Sequence, residues 1–74
     1  MGQLRDISAI TIFATNVKKY RIDKNLSQEE LANLAGIEYS QISRIERKLL
    51  NTSISVVFAI AKALEIPPGK LFES

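Results

Sequence analysis

The chain contains no cysteine, no histidine and no tryptophan. Without cysteine there are no disulfide staples, and without cysteine and histidine there are no thiolate or imidazole metal sites. The same absences remove the commonest general base and the thiol nucleophile of enzymes. The carboxylates are scattered and no glycine-rich phosphate loop is present, so neither an enzyme, a cofactor nor a bound metal is expected. Glycine occurs three times and proline twice, so backbone breaks are few and belong at element ends. No apolar run is long enough to span a bilayer and no signal-peptide pattern opens the chain, so a cytoplasmic setting without membrane contact is expected. Asn25-Leu26-Ser27 and Asn51-Thr52-Ser53 match the glycosylation triplet. Each precedes a helix start, where Asn and Ser are common caps.

What remains is 74 residues with 46% hydrophobic side chains. That describes one small globular domain whose core is marginal alone, so self-association is expected. The net charge of +2 is mild and implies no partner by itself. Position says more. Lys18, Lys19, Arg21 and Lys24 form one basic cluster, and Arg44, Arg47 and Lys48 another. The plainest reading of such sets is a solvated face.

The pattern predicts five helices and no strand. Helix one is expected over residues 12–23, with Phe13, Val17 and Tyr20 on one stripe. Residues 1–10 read as a leader, either a free arm or an extension of that helix, and residues 11–74 as the domain. Ser27 and Glu30 form a capping box for helix two, over residues 28–35. Leu31, Ala32 and Ala35 repeat inward, and Gly36 ends the helix where positive φ is cheapest. Helix three is expected over residues 39–48, with Ile42 and Ile45 inward. Ser53 caps helix four, whose inward stripe is Ile54, Val57, Ile60, Ala61 and Leu64. Pro67-Pro68 breaks the pattern before a last short helical turn at Leu71 and Phe72.

A short helix, a glycine turn and a second helix with a polar outer face is the layout of a helix-turn-helix. Once Ile42 and Ile45 face the core, Tyr39, Ser40, Ser43, Arg44 and Arg47 must point away from it. Side chains near the start of such a helix reach base edges in the DNA major groove. Arg44 has the fork that bonds guanine O6 and N7 together.

Residues 26–47 (LSQEELANLAGIEYSQISRIER), followed by Ile60-Ala61-Lys62-Ala63-Leu64, resemble the lambda-repressor-like, Cro-type helix-turn-helix family. The resemblance covers residues 13–72. It is nearest to restriction–modification controller proteins, with small phage repressors similarly close. It implies an all-α, five-helix domain in which helix three reads double-stranded DNA. By family position, Tyr39, Ser40, Ser43 and Arg44 are the base readers. Gln28, Arg47, Lys48, Asn51 and Lys19 are the expected phosphate contacts, with Lys18 the alternative to Lys19 on helix one. Arg21 and Glu46 are expected to form an ion pair that orients helix three more than it stabilises, so Arg21→Met should still fold. The resemblance also implies a homodimer on a pseudo-palindromic operator, with no small-molecule ligand. Repression would come from blocking RNA polymerase, activation from touching it. Ile66, Leu71, Phe72 and Phe58 are the expected dimer surface.

Three positions depart from the family pattern. Glu38 stands at the cap of helix three, where Ser or Thr is usual; a carboxylate caps well but repels a nearby phosphate. Lys48 replaces a glycine after that helix, and Thr52 replaces a proline. An antitoxin-like protein-interaction module built on the same fold is the alternative function. Leu34, Leu49, Leu50, Val56 and Phe58, all placed off the inward stripes, would serve it.

Overall fold

The computed structural model describes residues 7–49 and 52–74. It contains α1 (Ile7–Asp23), α2 (Gln28–Ala35), α3 (Tyr39–Glu46), α4 (Ile54–Leu64) and a closing 3₁₀ turn (Pro68–Phe72). Among the described residues the expected five helices are therefore four α-helices and one 3₁₀ turn. Pro67 and Pro68 supply no N–H donors, and the turn closes i→i+3 through the Lys70 amide, which donates to the Pro67 carbonyl at 3.0 Å.

α1 begins at Ile7, ahead of the expected start at residue 12. Ile10, Phe13, Ala14 and Val17 make a continuous i, i+3, i+4, i+7 stripe, and all four are buried. Residues 7–10 thus belong to the helix, while residues 1–6 of the leader lie outside the described residues. α2 and α3 pack on each other, α2 packs on α4, and α1 covers α3 and the 3₁₀ turn. Val17, Leu31, Ile42, Ile45, Ile60, Leu64 and Leu71 are the largest fully buried side chains. Every element contributes at least one of them, so the core is shared rather than local. Burying each such side chain contributes about 1.5–3 kcal/mol.

Two apolar expectations are corrected. Leu71, expected on the dimer surface, is fully buried, because the chain turns back beneath α1 after the two prolines. Ile54, expected to face inward, is 75% exposed. As the first residue of α4 it projects beyond the core, and the inward stripe starts at Val57.

The return of the C-terminus depends on Asn16, which the sequence pattern did not single out. Its Nδ2 donates to the Leu71 carbonyl at 3.0 Å and to the Glu73 carbonyl at 2.8 Å. Phe72 then stacks on Phe13, with ring centroids 5.6 Å apart. A buried amide with both donors used is a low-cost anchor for a backbone that has few bonds of its own.

Scarcity of glycine shows at the helix ends. α2 ends on Gly36 at φ 72°, which costs nothing. α1, α3 and α4 are followed by Asn25, Lys48 and Glu65 at φ 58°, 64° and 60°. For residues with a Cβ this conformation costs roughly 1–2 kcal/mol. The cost is accepted because the terminal carbonyls are satisfied. After α3, the Lys48 amide donates to Ile45 at 2.9 Å and the Leu49 amide to Arg44 at 2.9 Å.

Candidate nucleic-acid interface

The α2–turn–α3 unit is built by local chemistry. Ser27 Oγ accepts from the Glu30 amide at 3.0 Å, and Glu30 Oε1 accepts from the Ser27 amide at 2.8 Å. Both halves of the capping box are present, which fixes where α2 starts. At the other end, the amide of Ile37 donates to Ala32 at 3.0 Å. That bond and Gly36 redirect the chain within a few residues, and Ile37 seals the corner against the core.

α3 is strongly two-faced. Ile42 and Ile45 are at most 1% exposed. Tyr39, Ser40, Arg44 and Arg47 lie on the solvent side, with Ser43 half-buried at the edge. The sequence-predicted readers Tyr39, Ser40, Ser43 and Arg44 therefore share one outward strip, as the 3.6-residue period requires. Gln41, on the flank, accepts from the Glu38 amide through Oε1 at 3.2 Å. That bond closes the first turn of the helix and was not anticipated.

The expected phosphate contacts are spread around this strip. Arg47 follows α3, and its Nε donates to the Ser43 carbonyl at 3.4 Å. Lys48 comes next, in the left-handed conformation. Lys19 lies on α1 with its Nζ 5.3 Å from the centre of the Tyr20 ring, a cation–π distance. Asn51, together with Leu50, lies outside the described residues.

Gln28 is half-buried at the start of α2 and meets a third group. Its Nε2 donates to Glu46 Oε1 at 3.1 Å. Arg21 clamps the same carboxylate with both arms of its fork, Nε to Oε2 at 2.6 Å and Nη2 to Oε1 at 2.9 Å. Its third nitrogen, Nη1, donates to the Leu26 carbonyl at 2.8 Å. One carboxylate thus joins the last turns of α1 and α3 to the first turn of α2. The Glu46 side chain is only 4% exposed. Hydrogen bonding to it raises the Arg21 pKa above its already high ordinary value, so the guanidinium stays charged at any working pH. With one amide hydrogen on Glu46, Gln28 keeps its second for a group outside the fold. Lys24 and Glu65 make a further pair at 2.6 Å, and that hydrogen bond lowers the Glu65 pKa. Both residues are solvent-exposed, so the contact contributes little to stability.

Lys48 stands where two demands compete. Replacing it by glycine should raise stability by about 1 kcal/mol through relief of the left-handed backbone. If Lys48 also meets a phosphate, the slope of log K against log salt for duplex binding should become shallower by about one unit. Chemical denaturation and a salt titration on the same variant read the two effects separately.

Among the described residues, no helix is long and apolar enough to cross a membrane. A helix-turn-helix family model matches residues 17–71. The control protein C.SmaI of Serratia marcescens is 43% identical over 60 residues, covering 81% of this chain and 71% of the relative. The crystal structure of the restriction–modification controller protein C.AhdI from Aeromonas hydrophila superposes with a TM-score of 0.84 at 35% identity. That match covers 88% of this chain and 98% of the other. SinR, a master regulator for biofilm formation solved in complex with DNA, superposes with a TM-score of 0.79 at 34% identity, over 82% of this chain and 98% of its own. The arrangement of α2, Gly36 and α3, the family model and these likenesses agree: the chain belongs to the Cro- and lambda-repressor-like helix-turn-helix family.

Proposed function

We propose that this chain is a sequence-specific DNA-binding transcriptional regulator of the controller type, acting as a homodimer on a pseudo-palindromic operator. One observation carries the reading. α3 buries Ile42 and Ile45 completely while its opposite side presents Tyr39, Ser40 and Arg44 to solvent. A helix of this length with such a face fits the major groove. The likeness to C.SmaI and C.AhdI supports the controller role, and the DNA complex of SinR supports the ligand.

In this reading Arg44 bonds a guanine through both base-edge acceptors, and Tyr39, Ser40 and Ser43 contact adjacent bases. Gln28, Arg47, Lys48, Asn51 and Lys19 hold phosphates and set the register. A single short helix reads few bases. Two subunits with their α3 helices about 34–36 Å apart read two half-sites on one face of the duplex. With dimerisation limiting, occupancy rises steeply with protein concentration, which suits a timed response. The position of the operator decides between blocking RNA polymerase and touching it.

A salt titration on random duplex tests the ligand. Counterion release gives a steep negative slope, whereas a protein-interaction module shows almost no duplex binding even at low salt. Selection of bound sites from random duplex tests the symmetry. Arg44→Ala should lose about 1–3 kcal/mol at the selected site and relax one base position, with random duplex barely affected. Equal losses on both DNAs would make Arg44 a phosphate contact.

A further inference from the structure

Glu38 stands immediately before α3, at φ −71° and ψ 142°, next to Tyr39 and Ser40. It is exposed. The two bonds that close this turn use its backbone: its amide donates to Gln41 Oε1 at 3.2 Å, and its carbonyl accepts from the Gln41 amide at 3.0 Å. The side chain takes the capping-box position toward the Gln41 amide and, being exposed, keeps acceptor capacity on its carboxylate for a group outside the fold. No ion pair among the described residues involves Glu38, although Arg44 and Arg47 lie on or just beyond the same helix.

A carboxylate in this position cannot serve the phosphates, which repel it. In the groove it meets four kinds of base edge. Guanine offers two acceptors and thymine an acceptor beside a methyl group, so both are unfavourable. Adenine offers one donor, but its N7 acceptor sits alongside and repels a second carboxylate oxygen. Cytosine offers the N4 amino donor with no neighbouring acceptor on its own edge. Only cytosine suits an acceptor-only side chain.

We propose that Glu38 is a specificity determinant that selects cytosine at one position of each half-site, through a hydrogen bond from the base N4 amino group. The proposal rests on the DNA-binding reading above. It adds a base reader at the residue where the chain departs from the usual Ser or Thr. It also gives the repulsion a use, since a carboxylate lowers affinity for every sequence lacking that donor and so widens the gap between operator and random DNA.

The test is site selection from random duplex with the native protein, Glu38→Gln and Glu38→Ala, each first shown by circular dichroism to melt like the native fold. The native protein should hold one position per half-site to cytosine by roughly five- to 150-fold. Glutamine, which pairs with adenine N6 and N7, should move that position to adenine, and alanine should release it. Binding of both variants to random duplex should tighten. Identical selected sites for all three proteins, with affinity rising equally on every DNA, would make Glu38 a uniform electrostatic brake and overturn the proposal. A native protein that binds no duplex at low salt would fail one step earlier, taking the DNA-binding reading down with it.

Discussion

Arg21→Met is expected to lower the stability of the fold by about 3–5 kcal/mol, and adding Glu46→Met is expected to recover most of that loss. The asymmetry comes from burial. Glu46 is 4% exposed at its side chain and takes three hydrogen bonds, two of them from Arg21. Removing the arginine leaves a carboxylate out of water with only the Gln28 amide beside it. Removing both charges leaves two apolar side chains in the same space. Domains of this size are stable by about 4–11 kcal/mol, so the single change removes a large fraction of the stability. The expectation from sequence is that Arg21→Met still folds; the depth of Glu46 argues that it does so with a large loss of stability. Urea unfolding of the native protein, both single variants and the double variant closes the cycle. Equal stability of Arg21→Met and the native protein would mean that water reaches Glu46. The double variant separates holding from aiming. If the ionic clamp aims α3, the folded Met/Met protein should keep its random-duplex affinity and lose part of its operator preference.

Much of the interface was legible because its signals are local. Ser27 and Glu30 lie three residues apart, Gly36 follows the last inward alanine, and Ile42 and Ile45 fix the phase of α3. A phase error of one residue would have rotated Arg44 toward the core. What escaped detection depends on distant partners. Asn16 in mid-helix reads as an ordinary surface residue, yet its two bonds go to carbonyls 55 and 57 residues away. Leu71 follows a proline break that gives no direction of travel, and only the return beneath α1 shows it to be core. Ile54 fitted the stripe by spacing, but a stripe does not say where along a helix the core ends. The ion pair was suggested by resemblance alone. Its joining of three helices, through Gln28 and the Leu26 carbonyl, has no signature in spacing.

Those corrections redraw the dimer surface, and with it the second large effect. With Leu71 inside, and Ile66 packed on the core, the outward large apolar groups on α4 and the closing turn are Ile54, Phe58 and Phe72. Phe72 is half-exposed but also stacks on Phe13, so changing it confuses association with folding. Phe58 is 58% exposed, lies on α4 and is not part of the packed core, which makes it the cleaner probe. Phe58→Asp is expected to melt like the native protein and to sediment as a monomer. Operator affinity should then fall by roughly 10²–10⁴-fold, because the second half-site is no longer bound as a linked event. Affinity for a single half-site should change little, since α3 is untouched. Leu34→Asp is the comparison, being 62% exposed on α2 across a cleft from Ala59 and Lys62 of α4, and it should leave the dimer intact. A Phe58→Asp protein that remains dimeric would move the contact elsewhere. Were Leu34→Asp monomeric instead, the subunits would meet through α2 beside the reading helix, a geometry that leaves α3 little room to enter DNA.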